Sequence, residues 1–209
     1  MSKYSEISNQ ILEREFYLQD TLTVARSLLG CRLLVKNGVD AELETIAEGI
    51  IIETEAYLGR ADKACHSYKG NPAGRTNVMF GAGGHAYIYM IYGLHYCFNV
   101  VTRCAGEPEA VLVRALAPPG GSDPRLYSGP GKLCKSLGIT KDDYGCDLTA
   151  ETPSRIKILK PRGEQIVPSV VQTPRIGVAY SGEAAGYPYR FADINFSRSL
   201  SGTRNMSLQ

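Results

Sequence analysis

The stretch from Ile46 to Tyr57 is dominated by β-branched and apolar residues, which predicts one long, mostly buried β-strand. A single strand is not stable alone, so it needs partners in a sheet. Further apolar segments lie before and after it, separated by turn signals such as Asn37-Gly38 and Pro118–Gly121. The additional predicted strands are Cys31–Lys36, Tyr87–Tyr92, Tyr96–Thr102, Ala110–Leu116, Ile156–Lys160 and Arg175–Tyr180.

Two segments have helical spacing. Tyr17–Leu29 carries apolar residues at that spacing, with Asp20 or Thr21 to cap its start and Gly30 to end it. Lys132–Leu137 predicts a shorter helix. The chain therefore predicts an α+β fold, in which a mixed, mainly antiparallel β-sheet and its flanking helices form a single domain.

The composition supports a globular protein and excludes disorder, with 209 residues, 44% of them hydrophobic, and a net charge of +2. The apolar stretch Tyr87–Val101 contains Gly93, His95 and Asn99 and is shorter than the ~20 apolar residues of a membrane helix, so we expect no membrane span. Met1–Phe16 lacks the apolar run of a secretory signal. We expect a cytoplasmic or nuclear protein that is not secreted.

The six cysteines and three histidines do not form a recognisable metal-binding pattern. No two cysteines form a C-x-x-C pair. His66 follows Cys65 and His95 lies two residues before Cys97, but paired close spacings are absent. We expect reduced thiols and no metal site.

Two acidic residues interrupt the long predicted strand. The period of two along a strand places Glu53, Glu55 and Tyr57 on the same face. This pattern fits either an edge strand with a solvated face or a catalytic carboxylate.

Tyrosines are concentrated in the next two predicted strands. Tyr87, Tyr89, Tyr92 and Tyr96 lie close together in a chain without tryptophan. Tyr92 precedes Gly93 at an expected turn. Such residues most often pack in a core or an interface, but beside an acid and basic loops they also resemble a platform on which bases stack.

Arg114 lies within the apolar strand Ala110–Leu116 and needs an acidic or anionic partner there. A structural ion pair with Glu53 or Glu55 is one interpretation. An acid–arginine pair that holds a water molecule is the other.

Residues 59–84 are rich in glycine and predict a long irregular loop, which in a compact domain is usually functional. The part from Arg60 to Arg75 is basic, as is the chain after residue 152. Gly129-Pro130-Gly131-Lys132 matches no nucleotide-binding fingerprint, although Gly131-Lys132 suits a DNA phosphate.

Together these motifs closely resemble the alkyladenine (3-methyladenine) DNA glycosylase family, over about residues 14 to 192. The segments that carry the resemblance are Glu53–Gly59, His66-Ser67, Met79-Phe80, Tyr87–Gly93, Asn99, Val113–Leu116, Gly129–Cys134 and Pro174–Val178. The resemblance implies a curved antiparallel sheet and an enzyme without metal or organic cofactor. Action as a monomer is the simplest expectation for it. The implied substrate is duplex DNA containing damaged purines, of the 3-methyladenine, hypoxanthine, ethenoadenine and 7-methylguanine class.

The resemblance also implies roles for single residues. Glu55 would activate a water molecule as general base, with Arg114 and a main-chain carbonyl near Ile176–Val178 helping to hold that water. Three implied roles concern the flipped base: Tyr57 and His66 stack on one side of it, Tyr89 stacks on the other, and the His66 main-chain N–H reads the purine edge. Asn99 would exclude guanine. On the DNA itself, Tyr92 would fill the gap in the duplex and Lys132 would contact the phosphate backbone.

No lysine occurs in Glu53–Tyr57 or Tyr87–Asn99, which favours a monofunctional hydrolase over a Schiff-base lyase. The alternative from another class is a non-catalytic nucleic-acid-binding module, which leaves Glu55 and Arg114 without a role. A metal-dependent hydrolase is the third interpretation, and it predicts sensitivity to chelators.

Overall fold

The computed structural model describes residues 10–37, 45–118, 120, 122–149, 154–162 and 168–196. Eight strands in the described residues form one curved sheet, and every described pair is antiparallel. Short helices flank this sheet, which confirms the predicted α+β class. No strand pair in these residues is parallel, so the sheet is more regular than the mixed one predicted.

The longest strand, Thr45–Tyr57, lies in the middle of the sheet. The strands are β1 (Arg32–Asn37), β2 (Thr45–Tyr57), β3 (Ala86–Ile91), β4 (His95–Thr102), β5 (Glu109–Ala117), β6 (Ile156–Leu159), β7 (Val170–Thr173) and β8 (Arg190–Asp193). They are ordered β3-β4-β5-β2-β1-β6, and β8 pairs with both β2 and β7. The α-helices are α1 (Arg14–Tyr17), α2 (Thr21–Ser27) and α3 (Pro130–Leu137).

Helix α2 begins where its sequence signal predicts. The Asp20 carboxylate accepts hydrogen bonds from the N–H groups of Leu22 (3.0 Å) and Thr23 (3.1 Å), which satisfies two of the donors left free at a helix start. Val24 and Leu28 are buried in the main apolar core, which also contains residues from most strands. The helix thereby fixes the inner face of the sheet beneath β2.

Two β-bulges change which face of β2 and β5 meets the core. Pairing is continuous up to Ile51 opposite Leu116, and Ile52 is then an extra residue in β2 before Glu53 pairs with Ala115. Arg114 is an extra residue in β5 before Thr54 pairs with Val113. A bulge turns the strand and re-aims its side chains. The two insertions therefore let the second half of β2 direct Glu55 away from the core that Ile51 contacts.

One predicted strand is wrong, and two strands were not predicted. Arg175–Tyr180 is an irregular segment that leads into a 3-10 helix at Ala179–Gly186, because Gly177 has a φ of +80° and the Ile176 N–H is bonded to a side chain instead of a strand. The missed strands β7 and β8 have only four residues each and lack a clear apolar alternation.

The loop predicted after β2 is confirmed as a segment without β-strands or α-helices, and it contains two 3-10 helices, Gly59–Ala61 and Gly74–Phe80. The turn predicted at Asn37-Gly38 extends outside the described residues, as does that at Pro118–Gly121.

Candidate active site

Glu55 is the most enclosed acidic residue of the candidate site, with no exposed surface. Its Oε1 accepts a hydrogen bond from the Ile176 N–H (2.8 Å), and its Oε2 accepts one from the Tyr57 hydroxyl (2.8 Å). Arg114 Nη1 lies 3.4 Å from Oε1. Burial raises the pKa of Glu55 above its ordinary value, and the cation and the two donors only partly oppose this effect. The carboxylate is thus held in place on several sides and is a stronger base than an exposed glutamate.

Arg114 joins the two acids of β2. Its Nε donates to Glu53 Oε1 at 2.9 Å while Nη1 faces Glu55. Burial acts to lower the pKa of Arg114, but Glu55 and Glu53 outweigh that effect and raise it. The structural and the water-holding interpretation of Arg114 both require an acidic partner, and the structure shows Arg114 paired with Glu53 and with Glu55.

Arg190 on β8 is a part of this site that sequence reasoning missed. Its Nε donates to the same Glu53 Oε1 atom at 2.6 Å, and its Nη1 donates to the Thr173 hydroxyl at 2.8 Å. Glu53 is therefore shared by two arginines, whereas Glu55 is not bonded to Arg190. Arg190 lies between the aromatic residues Tyr189 and Phe191. A charged residue among apolar neighbours could therefore have identified it, as it identified Arg114.

A cavity of about 480 Å³ opens beside this acid–arginine centre. This volume is in the range of pockets that hold a small ligand. The structure brings together around it most of the residues that the sequence singled out, and the lining includes Tyr57, His66, Tyr89, Tyr92, Asn99 and Arg114. Ile176, Gly177 and Val178 form another part of the wall.

The aromatic residues of the cavity contact one another directly. The His66 and Tyr89 ring centroids are 4.6 Å apart at an interplanar angle of 77°. His66 Nδ1 lies 2.8 Å from the Tyr87 hydroxyl. Desolvation, followed by the charge of Arg75, lowers the pKa of His66, and burial raises the pKa of Tyr87. The lowered pKa of His66 and the raised pKa of Tyr87 keep both side chains neutral, and they share one hydrogen bond.

Asn99 on β4 is buried in the cavity wall. Its Nδ2 donates to the Tyr87 carbonyl (2.9 Å) and to the Cys97 carbonyl (3.3 Å). Its Oδ1 accepts no hydrogen bond from the described residues. The side chain therefore supports the strand and also leaves one acceptor for the cavity.

Tyr92 occupies the turn between β3 and β4, as the sequence predicted, and is 88% exposed. The Leu94 N–H closes the turn on the Ile91 carbonyl at 3.1 Å. Tyr92 and Gly93 have φ values of +53° and +67°, the signs that a type I′ turn requires. A left-handed conformation is uncommon for a bulky residue, so this turn holds an exposed aromatic ring in a strained position at the cavity mouth.

Lys132 does not line the cavity. It is exposed on the first turn of α3, while its neighbour Pro130 reaches the cavity wall. Arg60, Lys69 and Arg75 are likewise exposed on the long loop. These exposed side chains are available to a polyanion.

Neither a metal site nor a membrane span is seen in the part of the chain that the structure describes. No group of three or more His, Cys, Asp or Glu side chains there is arranged to hold a metal ion. Similarly, no helix among the described residues combines the length and apolar character needed to cross a membrane.

Comparisons with known proteins give a consistent result. The family described as "Methylpurine-DNA glycosylase (MPG)" matches residues 15–195. A relative from Bacillus cereus (strain AH187), named "Putative 3-methyladenine DNA glycosylase", is 43% identical over 197 residues, covering 84% of this chain and 92% of its own length. A relative of the same name from Bacillus anthracis (strain A0248) is 42% identical over 194 residues, with the same coverage.

Proposed function

This chain belongs to the methylpurine-DNA glycosylase family and is therefore a DNA glycosylase, and from that premise we propose that it flips damaged purines out of duplex DNA and hydrolyses their N-glycosidic bond with a water activated by Glu55. The proposed substrates are 3-methyladenine, hypoxanthine, ethenoadenine and 7-methylguanine. The enzyme acts as a monomer and is monofunctional. The observation that carries this proposal is the fully buried Glu55, fixed by Arg114, Tyr57 and Ile176 beside the cavity.

The reaction needs a base at one point only. Water attacks C1′ of the sugar, Glu55 accepts the proton of that water, and the purine leaves with the electrons of the N-glycosidic bond. The sugar passes through an oxocarbenium-like transition state, which a carboxylate stabilises. The raised pKa of Glu55 favours proton abstraction near neutral pH.

Arg114 and one main-chain carbonyl complete the proposed water site. The Val178 carbonyl already accepts from the Ser181 N–H (2.9 Å) and from the Ser181 hydroxyl (2.7 Å), so both of its lone pairs are used. The third water ligand is therefore the carbonyl of Ile176 or of Gly177.

The aromatic cavity binds the flipped base. Tyr57 and His66 stack on one face of the purine and Tyr89 on the other, while the His66 main-chain N–H reads the purine edge. A base between two rings separates them by about 7 Å, twice a van der Waals contact. Because the His66 and Tyr89 rings are now 4.6 Å apart, they separate when the base enters. Asn99 narrows the cavity against the 2-amino group of guanine.

DNA binding uses the surface around the cavity mouth. Flipping a base leaves a gap and costs a few kcal/mol in lost stacking and pairing. The exposed Tyr92 ring fills that gap, as inserted side chains do in other base-displacing proteins. Lys132 and the basic loop contact the phosphates.

Release of free base from defined oligonucleotides tests this function. Duplexes that each carry one of the four proposed bases are incubated with excess enzyme, and the free base and the abasic strand are quantified by chromatography. We expect an intact abasic strand and free base in equal amounts. Strand cleavage without added alkali would contradict the monofunctional assignment, and binding without base release would favour the non-catalytic module.

A further inference from the structure

Arg175 and Asp62 form a buried ion pair next to the candidate site. Arg175 Nη1 and Nη2 donate to the two Asp62 oxygens at 2.5 Å and 2.8 Å, and their side chains are 0% and 2% exposed. The remaining hydrogen bonds of the guanidinium go to the carbonyls of Ala56 (2.9 Å) and Ala184 (3.2 Å). The pair thus ties the end of β2 to the segments on both sides of the cavity.

Asp62 organises the loop that follows β2. Its Oδ2 accepts from the Leu58 N–H at 3.1 Å, and its Oδ1 accepts from the Ala64 N–H at 3.0 Å. Ala64, Cys65 and His66 line the cavity directly after these contacts. A change in the ion pair is therefore transmitted to the wall that we assign to the purine.

Arg175 is linked to both hydrogen-bond donors of Glu55. It directly precedes Ile176, whose N–H donates to Oε1. Its guanidinium also lies 4.8 Å from the Tyr57 ring centroid, and the Tyr57 hydroxyl donates to Oε2. The Tyr189 ring centroid lies 5.2 Å from the same guanidinium.

Stability alone does not account for this arrangement. A buried ion pair is often no more stabilising than apolar side chains of the same volume. Arg175 Nε is also buried without an acceptor among the described residues, which adds a desolvation cost. The hydrogen bonds of Arg175 to the Ala56 and Ala184 carbonyls point instead to a role in fixing the local backbone geometry.

We propose that Arg175, held by Asp62, is a positioning residue that keeps the Ile176 N–H and the Tyr57 hydroxyl on the Glu55 carboxylate. This inference rests on the proposed function of Glu55. Loss of the Ile176 hydrogen bond removes a contact that favours the ionised carboxylate, so the pKa of Glu55 rises further. The acidic limb of the pH–rate profile then moves to higher pH.

The test compares Arg175→Lys with Arg155→Lys. Arg155 is a suitable control because it also makes a two-bond ion pair, with Asp143 (2.5 and 2.6 Å), and donates to two carbonyls, but it lies outside the cavity lining. Single-turnover base release from a hypoxanthine duplex is measured against pH. Affinity for an abasic duplex and the melting temperature are measured for the same proteins.

We expect Arg175→Lys to lose about 10- to 100-fold in the single-turnover rate and to shift the acidic limb upward, with DNA affinity within about threefold of wild type. Arg155→Lys lowers the melting temperature but keeps the rate and the limb. An unchanged limb in Arg175→Lys, or an equal shift in Arg155→Lys, overturns the inference. Where Arg175→Lys does not fold, Asp62→Asn replaces it with the same criteria. Wild-type protein without base release would instead refute the proposed function.

Discussion

The acid–arginine centre, which reaches the cavity through Arg114, and the β3–β4 turn, which reaches it through Tyr92, differ in almost every physical respect. Glu55 has no exposed surface and is held by three partners, whereas Tyr92 is 88% exposed on a turn. The first region fixes charge among buried groups, where electrostatic interactions are strong. The second presents an apolar ring to a partner that arrives from outside. Under the proposed function, this difference separates chemistry from DNA distortion, and substitutions can test that separation.

The largest expected effect is in the buried centre. Glu55→Gln keeps the shape of the side chain but cannot accept a proton, so we expect base release to fall by about 10³-fold or more while DNA binding is retained. Single-turnover excision and a binding titration on the same duplex measure the two effects. Glu53→Gln is the matched control, with a loss of about tenfold, because Arg114 keeps Glu55 as its partner. Equal losses for the two variants would show that the acids act as a pair.

The same substitution gives a prediction of stability against pH. A carboxyl group with a raised pKa binds its proton more tightly in the folded protein than in the unfolded chain, so its stabilising contribution is present at acidic pH and is lost as pH rises through the folded pKa. The neutral amide of the Glu55→Gln variant has no such dependence. The melting temperature of the variant minus that of wild type should therefore be larger near neutral pH than in acid. A variant-minus-wild-type melting temperature that rises on acidification contradicts the raised pKa.

A smaller effect is expected at the turn. Tyr92→Ala should reduce excision from duplex by about 10- to 100-fold, because nothing then fills the gap, but should hardly change excision from single strands, where no stack has to be refilled. The ratio of the two rates is the measurement. Leu94→Ala is a suitable control, since Leu94 is 79% exposed on the same turn without lining the cavity. Equal loss on both substrates would assign Tyr92 to the pocket instead.

The smallest effect on damaged bases is expected at Asn99. Asn99→Ser frees space beside the purine, so we expect guanine release from undamaged DNA to increase by roughly 10-fold or more, with hypoxanthine release little changed. Free guanine and a thermal melt are measured together. Because Nδ2 bonds two strand carbonyls, some loss of stability is also expected. Loss of stability without guanine release would assign Asn99 to the support of the strand alone.

The sequence predicted those features that repeat along the chain or stand out against their neighbours. The period of two along β2 placed Glu55 and Tyr57 together, and a charge in an apolar strand identified Arg114. The strands β7 and β8 have too few residues to show a period, and the contacts of Arg190 depend on a sheet order that local patterns do not encode.

Arg175 shows the limit of such reasoning most clearly. Its apolar neighbours predicted a strand, but its partner Asp62 is distant in sequence and lies in a loop without a regular pattern. The contacts of Arg175 with Asp62 are made only when the chain has folded, so no local pattern reports them. Residues whose contacts depend on a distant partner, such as Arg175 and Arg190, were therefore missed, while Glu55 and Arg114 in the longer strands were found.

The paired bulges in β2 and β5 bear on how this chain tolerates changes in length. Ile52 and Arg114 are single extra residues that cancel each other, so the register before and after them is the same. Deleting Ile52 alone would shift one half of β2 by a residue and turn either Glu55 or Ile51 to the wrong face. Deleting both residues would restore continuous pairing but would remove the arginine. Ile52 and Arg114 therefore behave as one unit, because losing either residue alone breaks the register between β2 and β5.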